Sequence, residues 1–402
     1  MPDALQGFSA VRTEITPITP PDEPFLHTYY DVCPWSPSGR YFACLRLPFE
    51  DHHPEPDAEA EVCVFDRQEN TCRTLCGTTA WGFQTAAKQQ WGRTDRFLYF
   101  NIRRDSRPVG VRYDLRTGKL AEFEGPLWQV ARDETFALSP CLIRANLTQP
   151  GYGISVPPEE QVTNTVTAAE DDGFFRLDLK TGENRLWLSL ADVWQALPNK
   201  DELGGTILYA FHVKINPQGT RVALVVRAKP TEGKYHPMLL TGRPDASDLK
   251  VALPSWRWRQ SRHANHPVWH PRGDRILMNV GFHGRSRFSL IDPDTGAIEP
   301  LIEKPEGGGH PTITPDERGM VTDWYDPGGE KTQTGYVRWV DLRSGEWRDL
   351  CDVPRPLIDT STPEDVARRV DLHPVLDRDG RRAAFVAAPE GRRRLFVARL
   401  PD

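Results

Sequence analysis

The chain has 402 residues, 50 basic and 56 acidic, for a net charge of −6, and its basic residues are scattered, which argues against a nucleic-acid groove; the run Arg392-Arg393-Arg394 reads as a solvated edge. No apolar stretch is long enough to cross a bilayer, and the start Met1-Pro-Asp-Ala-Leu-Gln-Gly-Phe8 lacks a basic, apolar secretion signal. The 31 Gly, 36 Pro and 12 Trp fit many short strands joined by tight turns.

In chain order, Phe8-Ser-Ala-Val-Arg-Thr-Glu-Ile-Thr16 alternates as a strand does. A repeated phrase then marks hairpins: Asp114-Leu-Arg-Thr-Gly118, Asp178-Leu-Lys-Thr-Gly182, Asp292-Pro-Asp-Thr-Gly296 and Asp341-Leu-Arg-Ser-Gly345, with Asp66-Arg-Gln-Glu-Asn70 as a looser copy. Asp caps its own turn, and Gly or Asn takes the left-handed conformation that closes it. Seven units of this kind are expected at about 30–76, 79–124, 125–188, 205–253, 261–303, 307–351 and 368–401. The third carries an irregular insertion at 141–171, and the loops 47–60 and 354–367 are long enough to be functional. The one helical stretch read from the pattern is Leu190–Leu197. The last unit ends without its Asp-x-x-Thr-Gly turn, so the N-terminal strand is expected to supply the missing outer strand. The fold class is all-β: a seven-bladed β-propeller, one domain over 1–402, with the ring closed by an N-terminal strand.

A second phrase opens the later units. It reads His212-Val-Lys-Ile-Asn-Pro217-Gln-Gly219, His266-Pro-Val-Trp-His-Pro271-Arg-Gly273, His310-Pro-Thr-Ile-Thr-Pro315-Asp-Glu317 and His373-Pro-Val-Leu-Asp-Arg378-Asp-Gly380. Equivalent positions of successive blades converge on the propeller axis, so these four imidazoles are aimed at one channel mouth. Imidazole is the commonest ligand of borderline metals, and His266, His310 and His373, with Asp371 on the same strand face as His373, form a candidate divalent-metal set. For any one histidine a structural hydrogen bond between blades is the competing role. Lys88 takes the histidine position in the second unit, and Gln84, Lys88 and Gln90 share a strand face suited to sugar hydroxyls. Arg227 and His283 hold comparable places in the fourth and fifth units, and Arg144-Ala-Asn-Leu-Thr-Gln-Pro-Gly-Tyr152-Gly153 is a Gly-rich loop around one tyrosine. Seven cysteines at irregular spacing give no disulfide framework or zinc knuckle and point to a reducing cytoplasm.

The His-Pro-x-Trp-x-Pro-x-Gly entry, the openings Gly309-His310-Pro311 and Asp371-Leu-His373-Pro374, and the Phe83-Gln84…Gln90-Trp91 stretch resemble oligogalacturonate lyase and related propeller lyases of uronate-containing oligosaccharides, the ulvan lyases among them. The resemblance implies a divalent metal, manganese first with calcium or zinc as alternatives, and places His310 and His373 at two ligand positions. Asp371 stands where that family has His, and Arg368 where it has Gln. His266, His212 and Arg227 fall where the family lines its substrate pocket. The function expected is therefore β-elimination on a small uronate oligosaccharide, with His212, Arg227 and Tyr152 as catalytic residues and Gln84, Lys88, Gln90, Arg144 and His283 as substrate contacts. Two other readings stand beside it: a propeller glycoside hydrolase, which needs a carboxylate pair where the channel offers only Asp371 and Asp31, and a non-catalytic interaction propeller.

Overall fold

The Asp-x-x-(Thr/Ser)-Gly phrase builds hairpins as its chemistry dictates. In the computed structural model, which describes residues 5–198, 200–260, 265–326, 332–356 and 367–401, the carbonyls of Asp114, Asp178, Asp292 and Asp341 accept from the amides of Gly118, Gly182, Gly296 and Gly345. The same aspartates accept from amides two or three residues on through their side chains, and Asp66 does likewise ahead of Asn70, whose φ is 53°. Each hairpin joins the outer strands of one antiparallel sheet, and seven such sheets form a ring, a seven-bladed β-propeller.

The blades run Phe25–Thr78, Gln90–Glu122, Gln129–Ser189, Ile207–Leu253, Asn265–Pro300, Thr312–Pro356 and Val375–Arg399. Blade 1 starts a few residues earlier than the sequence pattern puts it, because Phe25–Leu26 pairs with Leu45–Arg46 before the chain turns in toward the axis. Side chains lock neighbouring blades. Trp91 Nε1 donates to Pro34 O (2.8 Å), Trp269 Nε1 to Lys214 O (2.9 Å), and Asn101 both donates to Leu127 O and accepts from Leu127 N.

The N-terminal segment closes the ring in two pieces rather than one. Ile15–Pro17 pairs with Phe396–Ala398 as the fourth strand of blade 7, as the missing turn of that blade requires. Ala10–Val11 instead adds a fifth strand to blade 6, against Cys351–Asp352. The break falls where Arg12 forms a two-pronged ion pair with Asp352 and Thr13 Oγ1 bonds Arg399 O, one residue held by each blade.

The insertion of blade 3 corrects the sequence reading, which has a loop there. Leu142–Thr148 is a helix (α1) that buries Leu142, Ile143 and Ala145; its N-cap Cys141 makes no side-chain cap bond, so no start signal marks it. The helix read from the sequence is present as Leu190–Ala196 (α2), with a Ser189/Asp192 capping box. The 47–60 loop is anchored: Trp81 Nε1 donates to Ala58 O and Arg368 Nε to Asp51 O. Most of the 354–367 loop lies outside the described residues. Among the described residues no helix is long and apolar enough to cross a membrane.

Phe8 staples the closure. Buried at 4 % exposure, its ring meets Phe396 and Phe385 edge-on, with centroids at 5.1 and 6.4 Å. Phe8→Ala removes that packing from the seam, with an expected stability loss of about 3–5 kcal/mol read from denaturant unfolding; an unchanged midpoint would show that the N-terminal segment does not hold the ring.

Candidate functional site at the channel mouth

The repeat position of the histidines is held by local backbone devices. A β-bulge between Ala210 and His212 turns the His212 ring toward the axis, while His266 and His373 sit at φ 64° and 44°. Gly309 also has positive φ, and a Cβ there would lie 1.8 Å from Asp323 O, so only glycine lets the His310 backbone settle on Asp323. Three rings then meet. His310 lies 3.8 Å from His266 and 4.2 Å from His373, centroid to centroid. His212 stands one ring farther off, linked through Tyr29, whose ring is 5.8 Å from His212, 4.8 Å from His373 and 6.1 Å from His310.

One carboxylate organises the cluster. Asp323, fully buried, accepts from His310 N (2.7 Å), His310 Nδ1 (2.9 Å), His373 N (3.2 Å) and the Tyr325 hydroxyl. Burial alone would raise its pKa, but His310 and these donors hold it well below the usual carboxylate range. The sequence reading missed Asp323. Its signal was an acid inside the otherwise uncharged strand run Gly319-Met-Val-Thr-Asp-Trp.

The floor of the site comes from blade 1, also unforeseen. Tyr29 and Tyr30, at 1 % and 0 % exposure, stand on the axis; Tyr30 donates to Pro267 O (3.0 Å), and its ring lies 5.0 Å from His310. Lys214, two residues after His212 on the same strand face, pairs with Asp31 and lies 4.8 Å over the Tyr30 ring. Behind this pair a cavity of about 200 Å³ opens between blades 3, 4 and 5, lined by Arg132, Asn216 and Trp269.

The remaining expected site residues divide. Tyr152 faces the cluster, 5.6 Å from His212 and 6.1 Å from Tyr29, ring to ring. Burial raises its pKa. Gly153 makes this placement, since a Cβ there would lie 1.9 Å from Leu142 O on α1. Arg227 lies flat on Phe211, 3.3 Å from its centroid, and donates to Gln149 Oε1 (2.7 Å). Burial lowers its pKa to about 10, so it keeps its charge at neutrality. Gln84 and Lys88 are buried, with Gln84 N donating to Gly151 O beside Tyr152. Lys88 Nζ sits over Trp128 at 3.9 Å, and burial, with Lys214 adding to it and Asp31 opposing, brings its pKa down to about 7.

Three expectations are corrected. Gln90 is a blade-to-blade brace, donating to Lys88 O and Trp128 O and accepting from Val130 N, with nothing left for a sugar. Arg144 projects from α1 onto buried Asp172 (3.4 Å). His283 is an exposed hairpin tip at φ 46°, beside Arg285 and Glu303. Asp371 is paired with Arg369 Nε (2.8 Å) and Arg355 Nη1 (3.6 Å), and its Oδ2 lies 4.0 Å from His373 Nε2. Despite its burial, those arginines hold its pKa far below the usual range. Arg368 is exposed, and it is Arg369 that turns inward.

Donor chemistry decides what the three imidazoles can hold. His266 Nδ1 faces Gly309 O (2.6 Å), an acceptor only, and His310 Nδ1 faces Asp323, so both carry a proton on Nδ1 and turn Nε2 away from these acceptors. Nε2 of His310 and of His373 is buried without a partner. Desolvation depresses the pKa of His266 and His373 well below 6.5. Imidazoles whose Nδ1 is fixed by a carbonyl or a carboxylate in this way fit a borderline divalent ion, although among the described residues no three acidic, thiol or imidazole groups already stand at metal-holding positions.

No family profile matches the sequence, and no curated protein matches it. Solved structures do. The chain superposes on an oligogalacturonate lyase from Vibrio parahaemolyticus with a TM-score of 0.67 at 15 % identity, covering 98 % of this chain and 96 % of that one. An oligogalacturonate lyase in complex with manganese matches with a TM-score of 0.66 at 17 % identity, over 98 % and 95 % of the two chains. The fold is that of these lyases.

Lys88 generates a prediction independent of activity. A buried amine without a counter-ion costs stability, and a folded pKa below the unfolded one makes that cost largest at low pH. Lys88→Met should therefore raise stability, and the gain should shrink by about 1.4 kcal/mol per pH unit as pH rises from about 7 toward 10. Urea unfolding at a series of pH values checks this; a pH-independent difference would place the Lys88 amine in water.

Proposed function

We propose that the protein is a carbohydrate-active enzyme, a lyase that cleaves small uronate-containing oligosaccharides by β-elimination at the channel mouth. The observation that carries this reading is the packing of imidazoles beside Arg227 on a shared tyrosine floor, on the fold of oligogalacturonate lyase. His266, His310 and His373 would hold a divalent ion, manganese first. When bound, that ion supplies an electrophile for the uronate carboxylate, acidifying the neighbouring C–H. Arg227 pairs with the same carboxylate and spreads the charge that develops on it. His212, whose Nε2 has no partner and whose pKa burial drives well below 6.5, is neutral at pH 7 and takes the proton. The Tyr152 hydroxyl hydrogen-bonds the departing oxygen.

A two-carboxylate hydrolase is less well supported. Asp31, Asp323 and Asp371 are each bonded to Lys214, His310 or Arg369, and Asp323 and Asp371 have lowered pKa values, the opposite of what a carboxylic general acid needs. Seven unpaired thiols fit a reducing cytoplasm and a late step on imported fragments.

Incubation with saturated uronide oligosaccharides should raise ultraviolet absorbance from a new C4–C5 double bond. New reducing ends without that chromophore would mean hydrolysis, and no turnover of any uronide would leave an interaction propeller. Manganese should raise the melting temperature of the wild type and not of His266→Ala, which loses a donor bonded only to a backbone carbonyl. His310→Ala is the poorer probe, since it strands the buried Asp323 charge and is expected to lose stability as well.

A further inference from the structure

We propose that Lys88 is the general acid of this site, protonating the glycosidic oxygen as it leaves while His212 takes the carbon-bound proton. The assignment rests on the lyase reading. Lys88 occupies in blade 2 the position that histidine occupies in blades 4 to 7, so it arrives at the axis by the same geometry. A left-handed backbone (φ 57°) and the bond from Lys88 N to Thr85 O fix it there.

Its surroundings differ from those of the other amine at the axis and resemble those of Arg227, which also rests on a ring face with no ion pair among the described residues. Lys214 is neutralised by Asp31, and Arg369 by Asp371. Among the described residues no carboxylate forms an ion pair with Lys88, which at 3 % exposure rests on the faces of Trp128 and Tyr29, at 3.9 and 5.8 Å. Ring faces stabilise an ammonium without fixing its proton to an acceptor, so the proton is free to be given away. His212 touches the same two rings, Trp128 at 4.9 Å and Tyr29 at 5.8 Å, so a base and an acid flank one pair of aromatics.

The environments push the two groups apart in the useful sense. Burial, with Lys214, Arg227 and Lys88 adding to it, keeps His212 unprotonated; burial brings Lys88 to about 7, poised to donate near neutrality. The Tyr152 hydroxyl, with its pKa raised by burial, is a weak acid that orients rather than donates.

The step balances. The His212 Nε2 lone pair takes the proton from C5, and the C–H electron pair becomes the C4–C5 double bond. The C4–O bond breaks with its pair on oxygen, and that oxygen takes a proton from Lys88 Nζ. Imidazolium and neutral amine then return to their starting states by exchange with water, so one oligosaccharide gives two fragments, one unsaturated.

The test compares two uronides, one with a sugar leaving group at C4 and one with 4-nitrophenolate, which departs without protonation. Lys88→Met should lower kcat/KM about 100-fold or more on the sugar substrate and less than about 10-fold on the aryl one. Lys88→Arg, which keeps the charge but gives up no proton, should show the same split. Equal losses on both substrates, or a fully active Lys88→Arg, would overturn the proposal by making Lys88 a binding or structural cation. The wild type gives a check that needs no variant: kcat/KM on the sugar substrate should fall as pH rises through about 7, and the aryl substrate should lack that limb. A limb common to both substrates overturns the assignment of Lys88 alone. A wild type that forms no unsaturated product from either substrate overturns the lyase reading itself, and the acid with it.

Discussion

Everything at the mouth depends on closure of the ring. A propeller blade presents its innermost strand to an axis, and that axis exists only when the last blade finds its outer strand. Here Ile15–Pro17 pairs with Phe396–Ala398, so the two ends of the chain meet in one sheet, and Ala10–Val11 carries the same segment on into blade 6. Two blades are tied by one short stretch, with Phe8 buried against the phenylalanines of blade 7. The convergence of side chains from blades 1 to 7 is thus a tertiary consequence of a few main-chain bonds.

Closure also removes water from the axis, and dehydration sets the chemistry. Tyr29 and Tyr30 fill the centre, and the imidazoles packed on them meet a medium that penalises charge. His212, His266 and His373 are held neutral, and Lys88 is brought near neutrality, while the carboxylates survive as anions only because each has partners. Asp323 is the clearest case, since it ties a histidine ring of blade 6 to the backbone of blade 7 and sets which nitrogen of His310 carries the proton. A buried anion so fully bonded orients two neighbouring entry positions at once.

Much of this architecture was legible. The hairpin turns appear at the named Asp and Gly positions, and α2 appears where a Ser-x-x-Asp box precedes an apolar run. The helix α1 was not legible, because Cys141 provides no cap and its buried side chains are stabilised by tertiary packing rather than by propensity. Within the site, the four histidines and Arg227 were marked by repeat position, and Tyr152 by the Gly-rich loop around it. Gln90 and Arg144 were misread because alternation places a residue on a face without saying whether a neighbouring backbone or a buried acid will claim its polar atoms.

The sequence by itself determined the repeat, because a turn needs its Asp and Gly locally and a blade-entry position recurs at a countable distance from that turn. Sequence therefore also determined which imidazoles point at the axis. Only the tertiary structure decided their protonation and partners. Tyr29, Asp323 and Lys88 lie on three different blades; burial dominates the ionisation of Tyr29 and Lys88, and His310 and its fellow donors that of Asp323, and neither has a signature in local sequence. It likewise decided the partners of Asp371, since Arg369 and Arg355 reach it from separate segments of the chain.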